Sequence, residues 1–288
     1  MRFSCLLWLA GLALFGQTPS GVRMEQDLVY ARAGQKDLLL DLYLPVSHSA
    51  ARLPVIVWVH GGAWRGGSKE RCPAAREARR GYAVASVNYR LSQEAVFPAQ
   101  IHDLKAAIRW LRANAGSYGL DPGRFGAWGE SAGGHLVALL GTSGGVGELE
   151  GNLGNAGYSS RVQAVVDFFG PTDFLQMPKF PGSILHEAPD SPESQLIGGP
   201  ILQNKDKAAR ANPITYIGKD SPPFLIMHGD QDRMVPANQS ELLAEALKKA
   251  GIEVQLGIVK GAGHGFGGHD IRLAVEAFFD RHLKPRKP

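Results

Sequence analysis

Four short stretches of this 288-residue chain carry residue types that could do chemistry together. In the first, Gly129, Ser131 and Gly133 form a G-x-S-x-G pattern between the apolar run ending at Trp128 and the apolar run Leu136 to Leu140. A serine hydroxyl is a poor nucleophile until a base can reach it. A sharp strand-to-helix turn lifts it clear of the backbone, and such a turn has no room for side chains two residues either way. The helix that follows would aim its N-terminal N–H groups at the serine and at any oxyanion forming there. By itself the pattern also describes a packing turn in a chain with 36 glycines, so the other stretches must decide. They are His60-Gly61-Gly62, then His228 to Pro236 with Asp230 and Asp232, then Gly261 to Phe266 with His264. Each follows an apolar run. Their order suits an oxyanion loop, a nucleophile, an acid and a histidine. His269 is a spare base, and Asp173 is a further position for the acid.

Composition narrows the classes. At 44% hydrophobic residues the chain can bury a large core. The formal charge of +4 is accounted for by Arg2, Lys284, Arg286 and Lys287 at the two ends. A nucleic-acid groove needs clustered Lys and Arg with stacking aromatics inside the fold, and neither is present, so no nucleic-acid partner is expected. Arg71, Arg76, Arg79 and Arg80 read as the solvated face of a helix. Leu6 to Phe15 is too short for a membrane span and is similar to a signal-peptide core, so residues 1–20 are expected to be a leader and the protein to be secreted or periplasmic, with no stable membrane span. Removing that leader takes Cys5 and leaves Cys72 alone, which allows no intrachain disulfide. Nine histidines occur without H-E-x-x-H or a Cys-His set, so neither metal nor cofactor is expected.

The elements that must position these residues alternate. Asp27–Ala31 and Leu38–Leu44 read as a hairpin, and Val55–Val59 as a strand covered on both faces. A helix is expected over Lys69–Arg80, then a strand over Tyr82–Tyr89. Ile101, Leu104, Ala107, Ile108 and Leu111 mark the apolar face of a helix, with Asp103, Lys105, Arg109 and Arg112 on its wet side. Residues 142–160 read as a surface loop. After a strand over Val162–Phe169, the Pro- and Gly-rich stretch at about 171–212 reads as an inserted cap. Strands at Phe224–Met227 and Val254–Val259 and helices at Asn238–Ala250 and Asp270–His282 close the chain. This is an α/β pattern: a mostly parallel sheet with helices on both faces and sites at the strands' carboxyl ends.

His60-Gly61-Gly62-Ala63-Trp64, Tyr89-Arg90-Leu91, Gly129-Glu130-Ser131-Ala132-Gly133-Gly134, Asp230 to Pro236 and Gly263-His264-Gly265-Phe266, in that order, resemble the α/β-hydrolase superfamily. The resemblance is to bacterial serine esterases of the hormone-sensitive-lipase-like and feruloyl-esterase-like kind, and it covers nearly everything from Asp27 on. It implies one hydrolase domain over residues 21–288. It also selects Asp232, which stands just before x-x-Val-Pro, as the acid over Asp230 and Asp173. The implied roles are Ser131 as nucleophile, His264 as base and Asp232 as the group that orients the imidazole. The backbone N–H of Ala132 and that of Gly61 or Gly62, with Gly62 preferred, would form the oxyanion hole. Ala63 stands where many lipases have a third glycine, a change that removes no N–H. Trp64 and Phe174 suit either core packing or contact with substrate and are assigned to substrate, and His60, Arg90 and Glu130 are expected to be structural. The expected substrate is a small ester, of acetyl or feruloyl type, on plant polysaccharide. An amide hydrolase on the same residues and a catalytically silent binding module are the competing readings.

Overall fold

The computed structural model describes residues 18–47, 51–180 and 182–285; the expected leader falls outside them but for its last three residues. Eight strands form one sheet: β1 Val22–Ala33, β2 Lys36–Pro45, β3 Leu53–Val59, β4 Ala83–Val87, β5 Leu120–Glu130, β6 Ala164–Phe168, β7 Phe224–Gly229 and β8 Val254–Val259. Their spatial order is β1-β2-β4-β3-β5-β6-β7-β8. The first two pairings are antiparallel and the rest parallel, as the alternating pattern predicts. All of β3 is buried because both its faces are covered. Val55, Val57 and Val59 join one core with Leu104, Ile108 and Leu136, while Ile56 and Trp58 join another with Phe278 and Phe279.

The helices are α1 Ala99–Ala113, α2 Ala115–Tyr118, α3 Ala132–Thr142, α4 Gly147–Glu150, α5 Pro192–Ile197, α6 Lys205–Arg210, α7 Asn238–Lys249 and α8 His269–Leu283. α1, α3 and α7 cover the first core, and α8 covers the second. The helix expected over Lys69–Arg80 is reduced to a 3-10 helix, Pro73–Arg80. Lys69 is instead buried in ion pairs with Asp27 at 2.8 Å and Asp41 at 2.9 Å, which hold the preceding segment against the hairpin.

The wet side expected for α1 is corrected as well. Asp103, Lys105, Arg109 and Arg112 are all buried. Lys105 Nζ donates to Ser143 O at 2.6 Å and Glu150 Oε1 at 2.8 Å; Arg109 Nη2 donates to Leu153 O at 2.7 Å; Arg112 Nε donates to Pro122 O at 2.9 Å. Lys105 and Arg109 thus satisfy carbonyls of the glycine-rich segment after α3, which has no strand or long helix to do so, and Arg112 satisfies one at the start of β5. Asp103 receives Arg90 at 2.6 Å.

The segment between β6 and β7, expected as a cap, holds α5, α6 and three 3-10 turns. Phe174 and Met177 are buried in the first core, and Phe97 N donates to Leu196 O at 2.8 Å, which ties α5 to the start of α1.

The tightest packing lies where β5 turns into α3. Ser131 has φ 54° and ψ −121°. A Cβ on Gly129 would sit 2.3 Å from Gly133 O, and one on Gly133 would sit 2.1 Å from Val59 O. Beneath the turn, Asp167 of β6 is fully buried, with Oδ1 accepting Gly170 N–H at 3.0 Å and Oδ2 without a partner among the described residues. Burial pushes its carboxyl up to about 7, only partly opposed by the Gly170 N–H and by His228.

Two outcomes follow. Gly133→Ala must displace β3 backbone, so chemical denaturation should show it less stable than wild type by about 1–3 kcal/mol. Asp167 has a raised native pKa, so its contribution is complete below about pH 4 and is lost as pH rises through about 7. The melting temperature of Asp167→Asn minus that of wild type should therefore increase by several degrees from pH 5 to pH 8; a pH-independent difference would contradict the assignment.

Candidate active site

Three side chains, widely separated in sequence, meet above the carboxyl edge of the sheet. The Ser131 hydroxyl donates to His264 Nε2 at 2.9 Å, and His264 Nδ1–H donates to Asp232 Oδ2 at 2.7 Å. Ser131 is fixed by its own backbone: its N–H donates to Phe168 O at 2.8 Å and its carbonyl accepts His135 N–H at 3.0 Å. The loop after β7 wraps around Asp232, whose Oδ1 accepts the N–H groups of Met234 at 2.8 Å and Val235 at 3.0 Å. The loop after β8 brings His264, whose side chain stays 15% exposed while that of Asp232 is fully covered.

His228, at the end of β7, completes the surroundings of the acid. Its Nε2–H is shared between Val235 O at 2.9 Å and Asp232 Oδ2 at 3.2 Å, and Ser240 Oγ–H donates to its Nδ1 at 2.7 Å. Burial alone would raise the Asp232 carboxyl. The bonds from His228, His264 and Val235 N–H outweigh it and hold that carboxyl well below the usual carboxylate range. Asp232 is thus an ionised acceptor, which places the His264 proton on Nδ1 and leaves Nε2 free to take one. Asp230 sits apart and ties down the turn by accepting Gly261 N–H at 2.6 Å. Asp173 accepts Leu175 N–H at 3.0 Å, and His269 is exposed at the start of α8.

The loop after β3 lies alongside Ser131. Gly61 is packed so closely that a Cβ there would meet Glu130 O at 2.9 Å and Ser131 Cβ at 3.2 Å. Gly62 has φ 115°, and a Cβ there would meet Gly66 O at 2.3 Å. The turn is closed by Arg65 and Gly66 N–H groups donating to Gly62 O, both at 3.0 Å. No acceptor among the described residues takes the N–H of Gly61, Gly62 or Ala132. His60 is structural: it stacks on Tyr89 at 4.4 Å, its carbonyl accepts Tyr89 OH at 3.0 Å, and burial lowers its pKa.

The expected substrate contacts Trp64 and Phe174 are corrected. Both are 1% exposed and pack on each other and on His135, with ring centroids 5.1–5.5 Å apart. The positive φ of Ala63 and Trp64 turns the indole away from the cleft and into the core. Other residues line the cleft, a cavity of about 470 Å³ containing Ser131 and His264. Phe169 and Met234 form an apolar wall, the Phe169 ring lying 4.7 Å from that of His264. Ser68, Arg71 and Glu130 line it as well and supply polar groups. Sequence reasoning gave no role to His228 or Met234, although both lie in the stretch His228 to Pro236 that it singled out, and it missed Phe169, Ser68 and Arg71. His228 left the clearer signal, four residues before Asp232 at a strand end. Among the described residues no group of three or more His, Cys, Asp or Glu could hold a metal ion, and no helix is long and apolar enough to cross a membrane.

Known proteins share this arrangement of elements. The BD-FAE protein-family profile matches residues 40–247. The chain is 32% identical over 228 residues to esterase LipQ of Mycobacterium tuberculosis, covering 78% of this chain and 53% of that one. It spans about half the length of the first curated relatives it matches. A truncated carbohydrate esterase from gut microbiota superposes with TM-score 0.80 at 36% identity, over 90% of this chain and 95% of that chain. The propionate-bound esterase Est2 of Thermogutta terrifontis superposes with TM-score 0.73 at 29% identity, over 93% and 97%. With the family profile running from β2 to α7, across the strands that carry Ser131 and Asp232, the chain belongs to the BD-FAE family of the α/β-hydrolase superfamily.

Proposed function

We propose that this protein is a serine carboxylesterase that hydrolyses small acyl or aromatic esters, of acetyl or feruloyl type, carried on carbohydrate. The observation that carries the reading is the unbroken line from Ser131 Oγ through the His264 ring to Asp232, at 2.9 and 2.7 Å, beside backbone N–H groups that have no acceptor among the described residues. Two relatives support the substrate class by name: one is a carbohydrate esterase and the other an esterase with propionate bound. The apolar run Leu6 to Phe15 supports an exported location.

The chemistry follows from the positions. Ser131 Oγ attacks the ester carbonyl carbon while its proton passes to His264 Nε2. Negative charge gathers on the carbonyl oxygen, which the N–H groups of Ala132 and Gly62 receive. Asp232 stabilises the imidazolium through Nδ1–H. The intermediate collapses, the C–O bond to the alcohol breaks, and His264 returns its proton to the departing oxygen. Water then attacks the acyl-enzyme by the same route, with His264 taking the water's proton and Ser131 regaining it as the acid leaves.

Hydrolysis of 4-nitrophenyl acetate and labelling by a fluorophosphonate test this reading. Wild type should do both. Ser131→Ala should be unlabelled and lose turnover with its melting temperature retained, and Asp232→Asn should lower kcat by on the order of 10⁴-fold. A wild-type protein that neither turns over nor becomes labelled would overturn the proposal.

A further inference from the structure

The cleft carries more polar equipment than ester cleavage uses. Ser68, Arg71 and Glu130 line the same cavity as Ser131 and His264. Glu130 adjoins Ser131 in the chain, and the segment from Ser68 to Arg71 runs from the loop after β3 toward the 3-10 helix. Arg71 is exposed, and no carboxylate among the described residues lies within 4.0 Å of its guanidinium. Its backbone carbonyl is engaged, accepting Trp58 Nε1–H at 3.1 Å, so the position of the residue is fixed while its charged end stays free. Glu130 is half-buried and its carboxylate receives no hydrogen bond among the described residues. Burial raises its pKa, partly opposed by the charges of Arg71 and His264. Several other shielded carboxylates are matched to a cation: Asp41 to Lys69, Asp103 to Arg90 and Glu150 to Lys105.

We propose that Arg71, Glu130 and Ser68 form a subsite for a hydroxylated, sugar-like part of the substrate. The argument rests on the carbohydrate-ester reading above and goes on to name the residues that recognise the carbohydrate. A guanidinium only donates, a carboxylate only accepts, and a serine hydroxyl does both. An anionic ligand attracted by Arg71 would be repelled by Glu130, and a cationic one would meet the reverse. Adjacent neutral hydroxyls satisfy all three at once, because each can donate to Glu130 and accept from Arg71. The apolar wall at Phe169 and Met234 offers no such match, so the cleft distinguishes a polar part of the substrate from an apolar one.

The experiment compares kcat/KM for a monoacetylated methyl xyloside with that for 4-nitrophenyl acetate, in wild type, Arg71→Leu, Glu130→Gln and Arg71→Lys. A hydrogen bond to a charged group contributes about 1.5–3 kcal/mol. The ratio of the two kcat/KM values should therefore fall roughly tenfold or more in Arg71→Leu, mainly through KM of the sugar ester. It should fall in the same direction in Glu130→Gln and recover in part in Arg71→Lys. Circular dichroism and melting temperature verify folding. If wild type cleaves both esters and the ratio is unchanged in Arg71→Leu and Glu130→Gln, the subsite is overturned while the carbohydrate reading stands. If wild type cleaves 4-nitrophenyl acetate but neither a sugar acetate nor a sugar ferulate, both are overturned.

Discussion

Ser131 is held at φ 54° and ψ −121°, a region L-residues avoid, and the surrounding backbone leaves no other place for it. Such strain is worth about 1–3 kcal/mol and persists only where neighbours over-determine it. Here the neighbours are β3 and β6, which flank β5 in the sheet. The Val59 carbonyl fills the space beside Gly133, and the Phe168 carbonyl takes the Ser131 N–H. The same crowding lifts the hydroxyl out of the sheet and points it at the cleft. From β3 rightward, the strand exits carry the glycine loop, the serine, the Phe169 wall, the acid and the histidine in spatial sequence: β3, β5, β6, β7, β8. Parallel strands lie about 4.8 Å apart, so neighbouring exits are automatically within a side chain's reach of one another. The site is therefore a consequence of strand order as much as of its residues.

Electrostatics then divides the labour. Asp232 is kept ionised by donors from His228, His264 and Val235, which converge on a side chain fully covered from solvent. Burial disfavours the charged form of two histidines near Ser131: His60 is lowered, and His135 is lowered to about 4. His264 stays partly exposed, beside the cleft. In the proposed reaction it is the imidazole that exchanges a proton with the serine and with a departing alcohol. Charges used only for structure, such as Lys105 and Arg109, are sequestered on α1, where they anchor the segment between α3 and β6.

What could be read from the sequence tracks how each feature leaves its mark. Gly129 and Gly133 were legible because the turn excludes a Cβ, and the packing around them shows that exclusion directly. The parallel order was legible because strands and helices alternate along the chain and because β3 is apolar on both faces. Asp103, Lys105, Arg109 and Arg112 were misread because helical periodicity says which side of α1 faces the sheet but nothing of a loop folding over the other side. Trp64 and Phe174 were misread because an aromatic beside a cleft packs equally well inward or toward the cleft, and only the assembled core, in which both are 1% exposed, decides. Arg71 and Phe169 left no local trace, since lining a cavity is a property of how distant segments meet.

The central claim is that Ser131 carries the acyl group between the two halves of the reaction. Acid quench of the protein during steady-state turnover of 4-nitrophenyl acetate, followed by mass spectrometry of its peptides, tests this most directly. The account predicts a single acetyl group on Ser131, absent from Ser131→Ala. Turnover with acetyl on a different side chain, retained when Ser131 is replaced, would contradict it.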